Sequence, residues 1–402
     1  DIVLKSEKTF KSILVTGARQ TGKSTVLQKL FPEKKYMPVD DPFIEEQAVE
    51  QPEMFMMLNP PPVIYDEVQR APNLFRYIKI KCDESDERGL FCLSGSQPLE
   101  LMEGVSESLS GRIGIIELSG LSMREIKGDS FNRSFVPTME YVQERSKSVK
   151  PFDNIWEVIH RGGYPELQNP EVDWSVFYSS YIKTYLERDV RSLSAVQNLD
   201  DFRKFMIAVA ARTGQMINYA NIADEVGKDQ STIKRWLSVL EASGIIYLLE
   251  PFSSSVLKRA IKTPKVYFRD TGLAAYLTRW LTPETLANGA MSGAFFETFV
   301  ISEILKSYSN RGIDYRYCVS YYRGRDKKKT SENEIDLIIE ENGTLYPVEI
   351  KRSSKVIADQ TSAFSVLDGI PDKKRGMGAV ICMCPQPGVL RENILQLPVW
   401  YI

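Results

Sequence analysis

The sequence predicts a multidomain α/β fold: an N-terminal sheet, a helical middle, and a second α/β segment at the C-terminal end. Three observations carry that expectation. Up to about residue 130, short apolar runs alternate with polar stretches of helical spacing, the pattern of strands joined through helices. From Ile155 helical spacing dominates as far as Gly244, where "GIIYLLEPF" (244–252) reads as a strand. From about Gly293 a strongly amphipathic helix is followed by apolar strand-like runs to the end of the chain. At 402 residues there is room for two to four domains.

Taken in order, Ile13–Val15 reads as a strand leading into a glycine loop, and Val26, Leu27 and Leu30 mark the helix that follows. "YMPVDDP" (36–42) reads as a second strand. "PPVIYDE" (61–67) is a third, its prolines stiffening the entry. "GLFCLSGS" (89–96) is a fourth and "GIIEL" (114–118) a fifth. Residues 120–150 are polar and irregular and read as a linker. The expected boundaries are 1–130 for the N-terminal domain, 131–200 for a linker and helical lid, 201–260 for a compact helical unit and 261–402 for the last domain.

Composition narrows the function classes. Apolar residues make up 43% and charged residues 26%, ordinary for a globular chain long enough to bury a full core. The net charge of −2 and a pI near 5.9 exclude a basic surface along the whole chain, so nucleic-acid contact rests on local patches. Five cysteines, without a CxxC pair, disfavour a zinc site or disulfide framework and fit a reducing cytoplasm. His160 is the only histidine, which excludes His-based metal clusters and Ser-His-Asp triads. No run approaches 18 apolar residues, so no transmembrane helix is expected. No secretory signal is visible, and the opening Asp1 leaves the natural N-terminus open.

The first chemical signal is Gly17-Ala18-Arg19-Gln20-Thr21-Gly22-Lys23-Ser24, which fits G-x4-G-K-[ST] between a strand and a helix. Glycines let such a loop wrap a phosphate closely, its backbone N–H groups and the helix N-terminus facing the anion. Lys23 would reach the β and γ phosphates of ATP, Ser24 would ligate Mg²⁺, and Thr25 closes the loop. "VIYDE" ends a strand in Asp66 and Glu67, suited to holding Mg²⁺ and polarising the attacking water. Ser96 and Gln97, after the fourth strand, are candidates to sense the γ-phosphate; a helix N-cap is the plainer role. Arg112 precedes the fifth strand, where it could act as a finger on a neighbouring subunit or be a structural arginine.

Two further segments carry chemistry. In 217–252, Ile222 and Val226 mark one helix, Gly227 ends it, and Ile233, Leu237 and Leu240 mark a second. The outer face of the second offers Gln230, Ser231, Thr232, Lys234 and Arg235 to phosphates and base edges of double-stranded DNA, though such units also serve as protein-binding modules. Near the end, Asp336 in "EIDLIIE" and Glu349 in "LYPVEIK" flank a turn at Glu341-Asn342-Gly343 that brings them together. Lys351 lies two residues on, on the same side as Glu349. Glu297 in "GAFFETFVISEIL", a helix that also holds Glu303, could add a third carboxylate to a Mg²⁺ site. Lys355 and "RGRDKKK" (323–329) add positive charge. Their plainer role is a solvated loop.

"LVTGARQTGKST", "PVDDP", "VIYDEVQR", "LSGSQ", "LSGR", "GGYPE", "YLERDV", "FRDTGL", "FFETFV" and "EIDLIIE…VEIK" follow one another along the chain. That ordered set resembles prokaryotic AAA-type ATPases with a C-terminal domain of unknown function, over nearly the whole length. The resemblance implies a P-loop ATPase sheet of the additional-strand type, a winged helix in the middle and a restriction-endonuclease-like fold at the end. It implies ATP and Mg²⁺ as ligands and a homo-oligomer, and no pathway. Three functions stay open: an ATPase acting on the C-terminal segments, an ATP-regulated metal-dependent DNA endonuclease, and a non-enzymatic ATP switch.

Overall fold

The computed structural model of the chain describes residues 1–96, 105, 108–185, 190, 196, 198–253, 263–325 and 332–402. They form two compact units, Asp1–Gly120 with Ala242–Ile245, and Leu121–Glu241 with Ile246–Ile402. Among the described residues, no helix is long and apolar enough to cross a membrane.

The first unit is built on β1 (Ser12–Thr16), β2 (Lys35–Pro38), β3 (Val63–Asp66), β4 (Phe91–Ser94) and β5 (Ile113–Glu117). All pair in parallel, in the order β2-β3-β4-β1-β5. An extra strand, β4, thus separates β1 from β3. Every residue of β1, β3 and β4 is buried, which is why their sequences are continuous apolar runs rather than alternating ones. Leu14, Tyr65 and Leu93 pack on one face with Phe55, Phe75 and Ile78. Ile13, Val15, Ile64 and Cys92 pack on the other with Leu27 and Phe31. The second strand is shorter than its sequence suggests. It stops at Pro38, because Asp41 caps the helix Pro42–Glu50, accepting from Phe43 N (3.0 Å) and Ile44 N (3.2 Å).

The second unit corrects the expected linker. Residues 121–150 carry the helices Met123–Ile126 and Met139–Arg145, and two of their arginines, Arg124 and Arg145, bind inward. Arg124 donates to the carbonyls of Phe131, Arg133 and Ile402 and to the Tyr141 hydroxyl. Arg145 pairs with Asp129 at 2.5 Å, the two side chains only 3% and 2% exposed. Further on, the helices Leu199–Ala210, Tyr219–Val226 and Gln230–Ala242 accompany a small antiparallel sheet. Its order is β6 (Gln215–Met216), β8 (Lys265–Phe268), β7 (Ile246–Leu249). β8 lies past residue 260, so this sheet crosses the boundary expected there.

The last α/β segment opens with the helix Ser292–Ser309. Instead of the expected two-faced helix it is buried on nearly every side, and its Glu303 and Lys306 neutralise each other at 2.9 Å. A mixed sheet follows, in the order β14 (Gly388–Arg391), β15 (Ile394–Pro398), β13 (Gly378–Cys382), β11 (Thr344–Lys351), β10 (Glu332–Glu341), β9 (Val319–Arg325). The short β12 (Lys374–Arg375) runs beside the start of β11. The β10–β11 hairpin closes through Asn342 (φ 49°) and Gly343 (φ 76°), the left-handed pair that a two-residue turn needs.

Candidate functional sites

The P-loop forms where its sequence places it, between the C-terminal end of β1 and the helix Lys23–Leu30. Gly17 has φ +136°, and a Cβ there would lie 2.2 Å from the Leu118 carbonyl oxygen, so no larger residue fits. Gly22 turns the chain into the helix with φ 87°. Within the loop, the Thr21 hydroxyl donates to Ala18 O at 2.9 Å. The buried Lys23 Nζ donates to the carbonyls of Gly17 (3.1 Å) and Ala18 (2.8 Å). Ser24 is half-buried beside it, and Thr25 is exposed.

Parallel pairing sets the C-terminal ends of β3 and β4 on the same edge of the sheet as that loop. Asp66, buried at the end of β3, accepts from the Tyr36 hydroxyl at 2.5 Å and from the Ser94 hydroxyl. Burial and the Asp66 carboxylate together raise the pKa of Tyr36. Glu67 has left-handed backbone angles (φ 52°, ψ 44°). Its Oε2 accepts from Gln69 Nε2 (2.5 Å), Ser96 Oγ (2.9 Å) and Ser96 N (3.3 Å). Ser96 therefore holds the glutamate, a role more specific than an N-cap. Gln97 lies outside the described residues. Arg112 is not brought here. It sits at the opposite edge of the sheet, where its carbonyl meets Ser12 N, and its guanidinium grips Asp83 through two hydrogen bonds (2.5 and 3.1 Å). Tyr36 and Ser94 were not expected from the sequence. Their signal was a hydroxyl on each strand flanking "VIYDE".

The C-terminal residues form a buried charged cluster. The hairpin register pairs Leu337 with Val348, so Asp336 and Glu349 follow at the adjacent positions of the two strands, and the pairing with β9 shifts register between Ile335 and Ile338. Asp336 Oδ2 accepts from Ile350 N at 2.8 Å and lies 3.6 Å from Lys351 Nζ. Lys351 Nζ is 2.5 Å from Glu349 Oε1, while the buried Glu349 Oε2 has no hydrogen-bond partner among the described residues. On the helix Ser292–Ser309, Glu297 Oε1 accepts from the Tyr267 hydroxyl (2.6 Å) and Lys265 Nζ (3.3 Å). Burial, and then the Asp336 charge, push the Glu349 carboxyl up to about 8 and that of Glu297 up to about 7. The expected three-carboxylate metal site is not assembled: among the described residues, no three His, Cys, Asp or Glu side chains are placed to hold an ion. Lysines pair with these carboxylates instead, Lys351 with Asp336 Oδ2 and Glu349 Oε1 and Lys265 with Glu297 Oε1. Lys265 and Tyr267 had been missed, although the polar alternation in "KVYF" marks one face of a strand.

Other candidates take plainer places. Thr232 is buried and donates to Asp229, so it leaves the outer face of its helix, where Gln230, Ser231, Lys234 and Arg235 stay exposed. Glu303 accepts from Met123 N at 2.7 Å and pairs with Lys306, a structural tie rather than a ligand. Lys355 is exposed. Of 323–329, Arg323 donates to the Met216 sulfur at 3.1 Å, and residues 326–329 lie outside the described residues.

With this geometry in view, residues 9–127 match the family model of an AAA domain. That match falls on the part of the chain that carries the glycine loop and the five-stranded parallel sheet. Residues 152–284 and 292–401 match two domains of unknown function, DUF8612 and DUF4143. Uncharacterized proteins of Mycobacterium tuberculosis and Mycobacterium bovis are each 27% identical over 361 residues, spanning 89% of this chain and 74% of theirs. Among solved structures, a Walker-type ATPase of Pyrococcus abyssi is 15% identical, covers 68% of this chain and 93% of its own, and has a TM-score of 0.43. A signal-transduction ATPase with a tetratricopeptide-repeat sensor from Pyrococcus horikoshii is 12% identical, covers 77% and 47%, and has a TM-score of 0.27.

Proposed function

We propose that the chain is an ATPase. It binds Mg-ATP on Gly17–Thr25, and Glu67 orients the water that attacks the γ-phosphate. The observation that carries this is the meeting of loop, Asp66 and Ser96-held Glu67 on one edge of the sheet. Lys23 exchanges two backbone carbonyls for phosphate oxygens, and the loop N–H groups take the remaining charge. Ser24 and Asp66 fit as holders of Mg²⁺, which supplies neutralisation of the phosphate oxygens when bound. Asp66 is kept in place for that by Tyr36 and Ser94. The nucleotide state then acts on the C-terminal segments.

Turnover of ATP by the purified chain, beside Lys23→Ala and Glu67→Gln, tests this. Lys23→Ala loses nucleotide binding. Glu67→Gln binds ATP but turns over about 10²–10⁴-fold more slowly, the span of a lost general base. Wild-type turnover by Glu67→Gln sinks the assignment. ATP bound by the wild type without any turnover makes the protein a switch.

A second activity is supported by one observation, the buried Glu349 Oε2, which has no hydrogen-bond partner among the described residues and belongs to a carboxylate that shares Lys351 with Asp336. Asp336 and Glu349 are the residues that would hold a divalent ion, which supplies an activated water at neutral pH when bound. Lys351 stands ready to offset negative charge at a scissile phosphate. The elements Leu199–Ala210, β6, Tyr219–Val226, Gln230–Ala242, β7 and β8 follow the order of a winged helix, which would present Gln230, Ser231, Lys234 and Arg235 to DNA. Incubation with plasmid and single-stranded DNA in Mg²⁺ or Mn²⁺, with and without ATP, is the test. Cleavage that Asp336→Ala abolishes establishes an ATP-regulated nuclease. No cleavage under any condition leaves the C-terminal segment as a binding fold.

A further inference from the structure

Lys265 is 3% exposed. A lysine taken this far out of water persists only where anions receive it. Its Nζ lies 2.7 Å from Glu334 Oε1 and 3.3 Å from Glu297 Oε1, and 5.4 Å from the centre of the Tyr321 ring. Tyr267, two residues along the same face of β8, donates to that same Glu297 oxygen at 2.6 Å. Both groups come from the small three-stranded sheet, not from the hairpin that carries Asp336 and Glu349. The cluster therefore divides. Asp336 and Glu349 share Lys351 on one side, while Glu297 and Glu334 share Lys265 on the other.

We propose that Lys265 is a resident cation of this cluster, one that keeps Glu297 out of the ligand set and so holds the affinity for divalent ions low. The inference rests on reading Asp336 and Glu349 as cation ligands, for which the buried Glu349 Oε2, without a hydrogen-bond partner among the described residues, is the independent sign. A divalent ion held by a carboxylate sits about 2.0–2.6 Å from its oxygen. With Lys265 and Tyr267 both on Glu297 Oε1, an ion could reach this carboxylate only through Oε2 and would then stand beside the Lys265 ammonium group inside the same buried cluster. Asp336 and Glu349 are then left as a two-carboxylate site. Removing the ammonium group returns Glu297 to the set. The regulator of this site is thus a side chain of the β6–β8–β7 sheet.

Mn²⁺ binding to the full chain without nucleotide, followed by electron paramagnetic resonance, tests the inference without relying on cleavage. Lys265→Met keeps the bulk and removes the charge. It should bind Mn²⁺ at least tenfold more tightly than wild type, and adding Asp336→Asn should abolish the gain. Should Lys265→Met not fold, Lys265→Met with Glu334→Gln leaves one fewer unpaired carboxylate, keeps Glu297, and should show the same gain. Unchanged or weaker Mn²⁺ binding, in a chain whose wild type binds Mn²⁺ through Asp336, overturns the role of Lys265 alone. Absence of any Asp336-dependent binding in wild type and variants overturns the cation site itself, and this inference with it.

Discussion

Glu67 shows what one residue can store. Its left-handed backbone is a conformation that a side chain of this size adopts at a cost of about 1–3 kcal/mol, and such outliers gather at functional sites. Three hydrogen bonds from Gln69 and Ser96 hold the carboxylate there, so strain and positioning come together. Ser96→Ala removes the side-chain bond but leaves the P-loop intact. It should lower kcat about tenfold, the effect of a loosened base, and leave the Kd for ATP within about twofold. Steady-state turnover with a separate nucleotide titration measures both. A parallel loss of binding would place Ser96 on the nucleotide instead.

At the scale of the element, residues 121–150 carry the clearest lesson. A polar, irregular stretch reads as solvent-exposed, yet here it folds around buried charges. Burial pushes the Asp129 carboxyl up, but the Arg145 guanidinium and the Phe131 N–H outweigh it and hold the group below its ordinary 3.8. A carboxyl lowered on folding contributes stability that is complete above its unfolded value and lost as pH falls through the folded one. Asp129→Asn strands Arg145, and breaking a buried pair this way costs about 3–5 kcal/mol. Chemical denaturation should therefore show the full penalty at pH 7 and a shrinking one below about pH 4. A penalty independent of pH would mean that the pair is not ionised. The same scale governs the helix Gln230–Ala242. If Lys234 and Arg235 neutralise phosphates, replacing both with Ala should flatten the salt dependence of DNA binding by about 2 in slope. An unchanged slope would assign this face to protein contact.

For the molecule as a whole, two compact units mean that ligands should act on stability selectively. ATP that binds only the folded P-loop unit adds about 2.7 kcal/mol at 100 times its Kd. Thermal unfolding should show that gain in wild type and in Asp336→Ala, and lose it in Lys23→Ala. A gain that vanishes with Asp336→Ala would mean that the two chemistries share one site.

Much of this was legible in sequence because the signals are local. A P-loop is a consecutive run whose glycines answer to backbone geometry, as Gly17 does against Leu118. Buried parallel strands announce themselves as apolar runs, and the Asn342-Gly343 turn fixed the register that pairs Leu337 with Val348 and so brings Asp336 and Glu349 to adjacent positions. What needed the tertiary structure was every relation between distant segments. Tyr36 and Ser94 on Asp66, Ser96 on Glu67, and Lys265 and Tyr267 on Glu297 are contacts that no spacing encodes. Burial decided the rest. It enclosed the Arg145–Asp129 pair and closed the two-faced helix at Ser292 on nearly all sides, and it gave the carboxylates lysines as partners. The sequence alone determined which chemical groups stand at which strand ends. Only packing decided which of them meet, because desolvation makes a buried charge seek its partner wherever the fold has brought one.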